Sequence, residues 1–256
     1  MKDLDRGKVY LIGAGPGDPD LLTIKALRAL GAADVVVYDR LVSPEIMALV
    51  PADVERIDVG KIPGHHRIQQ PEINALLIEL ALGGRCVARL KGGDPLIFGR
   101  GSEEAADLAR AGIASEYIPG ITAAQGAAAS TGVPLTHRGL ATGVHYITGH
   151  LAKDASLDLD WARLADPEST LVIYMGSATI GDIAKNLMRA GMSADTPAMA
   201  VAAATTPRER HVVSNLRSIS GRVETEKLPA PVLFVVGRVV SLYDTLPAGL
   251  PEAAYA

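Results

Sequence analysis

The sequence is poor in cysteine, aromatic residues and positive charge. Its 256 residues include one cysteine, two phenylalanines and one tryptophan. The single cysteine, Cys86, excludes an internal disulfide bond and is typical of a reducing compartment. The formal net charge of −4 argues against a general nucleic-acid-binding protein, which usually carries a basic surplus. No apolar run approaches the roughly 18 residues of a membrane-spanning helix, so we expect no membrane anchor.

What remains is the composition of an ordinary globular protein. Hydrophobic residues make up 48% of the chain and charged residues 21%, which is enough apolar surface for a sizeable core. With so few aromatics, that core must consist mainly of Leu, Val, Ile and Ala. The first residues meet glycines and charges too early for a secretory signal peptide. We therefore expect a cytoplasmic protein.

The first half of the chain alternates apolar strands, glycine-rich turns and helices. Strands are predicted at 8–13, 35–38, 51–60, 86–90 and 115–118, and helices at 21–30, 71–82, 102–112 and 119–130. This alternation is typical of a parallel sheet whose ligand crevices lie at the carboxyl ends of its strands. In the first helix the spacing predicts a buried stripe of Leu21, Ile24 and Leu27 with Ala26 or Leu30.

The second half repeats the alternation without repeating the sequence. Strands are predicted at 144–148, 170–174, 198–203, 211–213 and 232–236, and helices near 159–165, 180–190 and 216–220. The fold class is therefore α/β with two domains. We place an N-terminal α/β domain at 1–118, a C-terminal α/β domain at 119–245 and a frayed tail at 246–256.

The stretch 89–104, RLKGGDPLIFGRGSEE, stands at the centre of this organisation. Adjacent glycines at Gly92 and Gly93 let the backbone approach a ligand or adopt a positive φ. A helix is predicted to begin at Ser102 as its N-cap, with Glu103 and Glu104 complementing the helix dipole. Taken alone, the stretch fits an ordinary strand-to-helix loop equally well.

Two further sequence patterns are weak candidates for a dinucleotide site or a metal site. GAGPGD after the first strand, with Asp39 about 20 residues later, suggests dinucleotide binding. However, Asp18 replaces the last glycine of GxGxxG, and Pro16 removes an amide donor from the turn. A nicotinamide dehydrogenase is therefore disfavoured. The adjacent histidines His65 and His66 lack chelating spacing, so no metal site is predicted.

Five longer stretches together resemble one enzyme family. They are VYLIGAGPGDPDLLTIKALRAL, ADVVVYDRLVSPEI, RLKGGDPLIFGRGSEE, PGITAAQGAAASTGVPLTHR and LVIYMG. In this order they cover most of residues 8–240 and resemble the tetrapyrrole methylases, in particular the group that methylates uroporphyrinogen III. The resemblance implies a homodimer of two α/β domains, with the active-site cleft between the domains of each chain.

The resemblance also implies an activity. S-adenosyl-L-methionine (SAM) would be the methyl donor, S-adenosyl-L-homocysteine (SAH) its product, and no metal would take part. Two successive methylations would convert uroporphyrinogen III, an anionic tetrapyrrole, to precorrin-2, on the branch to sirohaem, cobalamin or haem d1. A related methylase for a later corrin intermediate stays open as an alternative, and a dinucleotide-binding α/β protein is more remote. YDRLVS and PLTHR favour the uroporphyrinogen III group.

Site residues follow from the same resemblance. The cofactor-binding positions are Pro16, Gly92, Gly93, Asp94, Ile97, Thr122, Ala123, Met175 and Ala204. Ala204 departs from the family, in which glycine is common at this place. The proton acceptor would be Asp39 and the proton donor Lys61. The substrate-binding residues would be Arg40, Arg100 and Arg138, with Glu103 as a lesser contact, since arginine suits bidentate recognition of carboxylates.

Overall fold

The chain folds as two compact α/β units. The computed structural model describes residues 7–60, 69–150 and 157–245, and the units divide between Ala123 and Ala124. The sequence predicts this junction five residues earlier, after Ile118. The PGIT turn stays with the first unit, where the Gly120 N–H donates to the Asp94 carboxylate over 3.1 Å. Within the described ranges, no helix is both long and apolar enough to cross a membrane.

Unit 1 is built on a parallel sheet. Its strands are β1 (Lys8–Gly13), β2 (Val35–Tyr38), β3 (Glu55–Asp58), β4 (Val87–Lys91) and β5 (Ala114–Ile118). They lie in the order β3-β2-β4-β1-β5, all parallel. Its helices are α1 (Ile24–Gly31), α2 (Pro44–Met47), α3 (Gln70–Leu82) and α4 (Gly101–Arg110).

Both faces of this sheet are covered, which is why its strands are continuously apolar. Because side chains alternate along a strand, Val36 and Leu90 pack with α1 and α2 on one face. Val37 and Val87 pack with α3 and α4 on the other face. All five strands are parallel, so the loops after their carboxyl ends meet at one edge, which we call the carboxyl edge of unit 1.

The predicted buried stripe on α1 is wrong in part. Its buried residues are Ala26, Ala29 and Leu30, whereas Ile24 is 69% exposed and Leu27 46% exposed. Residues 19–21 form a separate 3₁₀ turn, and Thr23 caps a helix that begins only at Ile24. The helix therefore packs against the core through Ala26, Ala29 and Leu30, and Ile24 and Leu27 lie on its exposed side.

The predicted N-cap of α4 is also wrong. Arg100 occupies that position with a left-handed φ of 60°, and Ser102 lies within the first turn. The preceding loop folds back so that the Gly101 N–H donates to the Pro95 carbonyl over 2.9 Å. A Cβ on Gly99 or Gly101 would lie 2.7 or 2.6 Å from that same oxygen. This close backbone contact starts the helix one residue before Ser102.

Unit 2 is built on a mixed sheet. Its strands are β6 (Gly143–Thr148), β7 (Ser169–Tyr174), β8 (Pro197–Ala202), β9 (Arg210–Asn215) and β10 (Val232–Val236). They lie in the order β6-β7-β10-β8-β9, with β6 parallel to β7 and β10 antiparallel to both of its neighbours. The helices are α6 (Trp161–Leu164), α7 (Ile180–Arg189) and α8 (Ile219–Thr225), while α5 (Ala123–Thr131) begins at the unit boundary.

The core of unit 2 also has two faces. Phe234 on the central strand is fully buried and packs with Ile173, Ala200 and helices α7 and α8. The opposite face packs Val172 and Val201 against the small residues of α5. Since β10 runs antiparallel between β7 and β8, those two strands end at the same edge of the sheet.

Leu77→Ala should lower the free energy of unfolding by about 2 to 5 kcal/mol, because Leu77 is fully buried between α3 and the sheet. Leu82→Ala removes the same atoms from the same helix at a position that is 47% exposed. It should cost less than about 1 kcal/mol. Urea unfolding followed by circular dichroism measures both changes, and equal losses would contradict the buried face assigned to α3.

Candidate functional site

Three glycine turns touch one another at the carboxyl edge of unit 1. Gly13 ends β1, Gly93 follows β4 and Gly120 follows β5. A Cβ on Gly13 would lie 2.5 Å from the Gly120 nitrogen and 2.6 Å from the Gly93 carbonyl oxygen. A Cβ on Gly120 would lie 2.3 Å from that oxygen. These separations are far below van der Waals contact, so the three turns can meet only through bare backbone.

Two of the predicted cofactor loops are also joined by hydrogen bonds. Gly15 and Gly93 exchange both backbone bonds, with the Gly15 N–H donating over 3.1 Å and the Gly93 N–H over 2.7 Å. Their φ angles of 75° and 67° lie in the left-handed region that favours glycine. GAGPGD, with the partly buried Pro16, and KGGDP therefore form one surface rather than two independent loops.

Asp94 fastens this surface to the third turn. Its Oδ1 accepts the Leu96 N–H over 2.8 Å, and its Oδ2 accepts the Gly120 N–H over 3.1 Å. Thr122, which is buried, and Ala123 continue the same PGIT turn. The structure thus brings together the seven cofactor positions predicted in unit 1, since Gly92 and the partly buried Ile97 flank Asp94.

The chemistry of these turns fits the methyl donor that the sequence implies. The stretches 14–20, 92–97 and 119–123 contain no Lys or Arg, and their charged residues are Asp18, Asp20 and Asp94. Backbone groups and carboxylates favour a ligand that carries a positive sulfonium and a positive amine. A phosphate-rich dinucleotide would find neither a cation nor, at Pro16, an amide donor in these turns.

Asp39 lies directly after β2 at the same edge. Its Oδ1 accepts the Leu41 N–H over 3.0 Å, and its Oδ2 lies 3.4 Å from a terminal nitrogen of Arg89. About a quarter of its side chain remains exposed. Arg40 follows as an exposed cation. Lys61, the predicted proton donor, lies outside the described residues.

Beneath Asp39 lies a group of ions that the sequence did not reveal. Arg89, Lys91 and Glu104 form a buried charge cluster in which each residue is at most 5% exposed. Glu104 was expected only to complement the helix dipole, but its Oε1 accepts from Arg89 Nε at 3.2 Å and Lys91 Nζ at 2.9 Å. Burial, assisted by the positive charge of Arg89, lowers the pKa of Lys91. A signal existed in the alternation of Val87, Arg89 and Lys91 on one face of β4.

Arg100 and Glu103, predicted to bind substrate, are paired with each other. The guanidinium donates from Nε over 2.9 Å and from a terminal nitrogen over 2.7 Å to the two carboxylate oxygens. This pair raises the pKa of Arg100 and lowers the pKa of Glu103. Both side chains are about half exposed, so solvent can compete for the pair and so can another carboxylate.

In unit 2, two predicted cofactor residues follow strands that end at the same edge of the sheet. Met175 follows β7 with a left-handed φ of 54° and a side chain that is 50% exposed. Ala204 follows β8 and is buried between Ala203 and Thr205, whose φ angles are 51° and 64°. Ala204 itself is not left-handed, so its Cβ is compatible with the backbone there.

Arg138 lies in unit 2, in the loop between α5 and β6. It is exposed, and its carbonyl oxygen lies 2.9 Å from the Nδ1 atom of His137. The guanidinium therefore belongs to a surface loop, as the sequence predicted. Among residues 7–60, 69–150 and 157–245, no group of His, Cys, Asp or Glu is arranged to hold a metal ion.

Comparison with known proteins gives consistent results. The family model described as Tetrapyrrole (Corrin/Porphyrin) Methylases matches residues 8–220. The uroporphyrinogen-III C-methyltransferase of Paracoccus denitrificans (strain Pd 1222) is 59% identical over 249 residues, covering 97% of this chain and 86% of that protein. The siroheme synthase of Azotobacter vinelandii is 53% identical over 94% of this chain. The chain spans only 52% of that synthase, about half its length.

A solved structure resembles most of the chain. The uroporphyrin-III C-methyltransferase of Thermus thermophilus, complexed with S-adenyl homocysteine, matches with a TM-score of 0.80 and 43% identity. The match covers 93% of this chain and all of that one. A family model over most of the sequence, close relatives and a shared structure agree with the paired glycine turns, and they establish that the chain belongs to the tetrapyrrole methylase family.

Proposed function

We propose that this chain is a SAM-dependent C-methyltransferase that converts uroporphyrinogen III to precorrin-2 by two successive methylations. The observation that carries the proposal is the hydrogen-bonded pairing of GAGPGD with KGGDP. The turn residues of the pair, 14–20 and 92–97, form a backbone surface without Lys or Arg, in a chain 59% identical to a named uroporphyrinogen-III C-methyltransferase. The fit of this surface to a sulfonium ligand supports a methyltransferase over the alternative of a dinucleotide-binding protein.

The cofactor residues would hold the donor mainly through backbone groups. They are Pro16, Gly92, Gly93, Asp94, Ile97, Thr122 and Ala123 in unit 1, and Met175 and Ala204 in unit 2. When bound, SAM supplies a methyl group that is already activated for displacement. The turns therefore need to fix its orientation and exclude water rather than to activate it. Asp94 contributes by fixing two turns to each other.

Asp39 is proposed as the proton acceptor. The nucleophile is a pyrrole carbon, which forms a C–C bond to the methyl group as the methyl–sulfur bond breaks. The ring is then electron-poor until it loses a proton, which a carboxylate near the reacting ring can accept. Asp39 is exposed enough to reach a ligand, and both of its oxygens are already oriented by protein groups. Lys61 would supply the proton donor.

The substrate residues would recognise carboxylates. Arg40, Arg100 and Arg138 are all exposed cations in an otherwise acidic chain. Arg100 would exchange Glu103 for a substrate carboxylate, a swap that keeps its bidentate geometry. Glu103 would then be freed to act as a hydrogen-bond acceptor elsewhere on the substrate.

A homodimer in the cytoplasm is part of the same proposal. The exposed apolar side chains of Ile24 and Leu27 on α1 support it. The two side chains lie about one turn apart on the same helix, and contiguous exposed apolar patches often mark protein–protein interfaces. The partner would be a second copy of this chain.

The overall activity can be tested directly. The chain should transfer labelled methyl groups from SAM to uroporphyrinogen III, and mass spectrometry should show a monomethylated and then a dimethylated product. A later corrin intermediate, supplied under the same conditions, is the control acceptor. Methylation of that intermediate without methylation of uroporphyrinogen III would overturn the proposed substrate. If the protein bound neither SAM nor SAH, the proposed reaction itself would be overturned.

Asp39→Ala should lower kcat by about two to four orders of magnitude because a positioned proton acceptor is lost. Affinity for SAH, measured by calorimetry, should stay at the wild-type value, since the glycine turns are untouched. Asp182→Ala is the control, as it removes a carboxylate from the exposed side of α7 in unit 2. Unchanged turnover in Asp39→Ala would remove Asp39 from the catalytic residues.

Arg138→Ala should raise the KM for uroporphyrinogen III about 10- to 100-fold, because a charge-assisted hydrogen bond contributes about 1.5 to 3 kcal/mol. SAH affinity should not change. Arg189→Ala is a matched control, since Arg189 is another exposed arginine of unit 2, and it is bonded to Asn186 on the same helix, α7. Equal loss of substrate and SAH binding in Arg138→Ala would contradict a specific substrate role.

A further inference from the structure

The proposed chemistry leaves the buried charge cluster of Arg89, Lys91 and Glu104 unused. Burying ions costs solvation energy, and well-packed apolar residues of the same size are often as stabilising or more so. Stability alone is therefore a poor reason for three ions at this place. Their position provides another, since all three lie at the carboxyl edge of unit 1 beside Asp39.

The cluster converges on one oxygen atom. Glu104 is fully buried on α4, and its Oε1 accepts from Arg89 at 3.2 Å, Lys91 at 2.9 Å and Gln70 Nε2 at 3.0 Å. Among the residues that the structure describes, Oε2 has no hydrogen-bond donor. The carboxylate is thus held by a single oxygen between two cations, which fixes both cations relative to the sheet.

Arg89 connects this cluster to Asp39. Its Nε is bonded to Glu104, and one terminal nitrogen lies 3.4 Å from the Val37 carbonyl oxygen and 3.2 Å from that of Leu90. The other terminal nitrogen lies 3.4 Å from Asp39 Oδ2. Strand pairing explains this geometry: Val37 is opposite Arg89, so Asp39, two residues on, falls on the same face beside Lys91. A buried guanidinium with a fixed direction therefore reaches the proposed proton acceptor.

The negative charge of Glu104 offsets the positive charges that surround Asp39. Two cations on β4 act on Asp39: Arg89 through direct contact and Lys91 through its charge. Glu104 on α4 contacts both cations. On β3, Asp58 pairs with Tyr38, so its side chain lies on the opposite face of the sheet from Asp39. From α3, the neutral Gln70 contacts the cluster. Without the charge of Glu104, both cations would act on Asp39 and hold it as an unreactive ion-pair partner.

We propose that Arg89 and Glu104 are positioning residues for Asp39. Arg89 orients the Asp39 carboxylate through one directed N–H, and Glu104 offsets the buried positive charge so that Asp39 can still accept a proton. The inference rests on the proposed role of Asp39 as the base. Neither residue touches the substrate or the methyl donor in this account.

Two substitutions of opposite charge test the proposal. Glu104→Gln keeps the shape and an acceptor oxygen but removes a negative charge, so the acid limb of the kcat–pH profile should move down by about one pH unit. Arg89→Met removes a positive charge and should move that limb up by a similar amount, about one pH unit. In both, kcat should fall on the order of tenfold or more, while KM and SAH affinity stay unchanged.

Glu116→Gln is the matched control. Glu116 also bridges two cations, Lys8 and Lys25, in unit 1, but it lies on β5, which two strands separate from β2 and Asp39. Its substitution should leave the acid limb where it is. Both Glu104→Gln and Arg89→Met could lose rate while the acid limbs of their kcat–pH profiles move in the same direction or do not move. That result would show that the two residues have only a structural role, and it would overturn the proposal.

Arg89→Lys keeps the test decisive if Glu104→Gln does not fold. It retains the charge of the cluster but not the planar fork, so kcat should fall while the acid limb stays in place. A limb that moves, or a kcat equal to that of the wild type, would contradict an orienting role for the guanidinium.

The link can also be separated from the proposed reaction. In unliganded protein labelled at aspartate carboxyl carbons, the titration midpoint of Asp39, identified by its absence in Asp39→Asn, can be followed by NMR. If the Asp39 midpoint moved in opposite directions in Glu104→Gln and Arg89→Met, the link between the cluster and Asp39 would be supported. This would hold even if no methyl group were transferred to uroporphyrinogen III, because that failure would refute only the proposed function. Coincident midpoints in all three proteins would refute the link itself.

Discussion

Contact between three bare backbones controls the geometry of unit 1. Gly13, Gly93 and Gly120 meet at distances that exclude a Cβ at Gly13 or Gly120, and this brings the ends of β1, β4 and β5 together. Hydrogen bonds between Gly15 and Gly93, and from Gly120 to Asp94, then close the three turns into one surface. Because the turns present backbone, their shape does not depend on side-chain rotamers, which suits precise placement of a small ligand.

The same edge separates two electrostatic environments. The turns after β1, β4 and β5 contain no cation, whereas a few residues away β4 buries Arg89 and Lys91 against Glu104. Asp39 lies where the two meet, with one oxygen bonded to backbone and the other facing Arg89. A carboxylate in this place is held firmly yet stays partly open to solvent, as a group that must exchange protons requires.

Sequence periodicity predicted most elements, and packing decided the rest. β10 lies at the predicted residues, and α3 begins one residue earlier than expected. Spacing did not predict the buried face of α1, because that face is formed by two alanines and Leu30 while Ile24 is exposed. The charge cluster was missed because β4 looked apolar, and only the pairing of Val37 with Arg89 brings Asp39 beside it. Resemblance supplied the cofactor positions, which spacing alone left as ordinary turns.

Three left-handed residues in the loops after β7 and β8 matter for engineering this chain. Met175, Ala203 and Thr205 keep side chains in a conformation that glycine adopts without cost. Each such residue stores roughly 1 kcal/mol or more of backbone strain. Selection for heat resistance would favour glycine at these positions, and the loops beside Ala204 would then gain backbone freedom. At this edge of the sheet, substitutions that raise thermal stability would therefore make the loops less ordered.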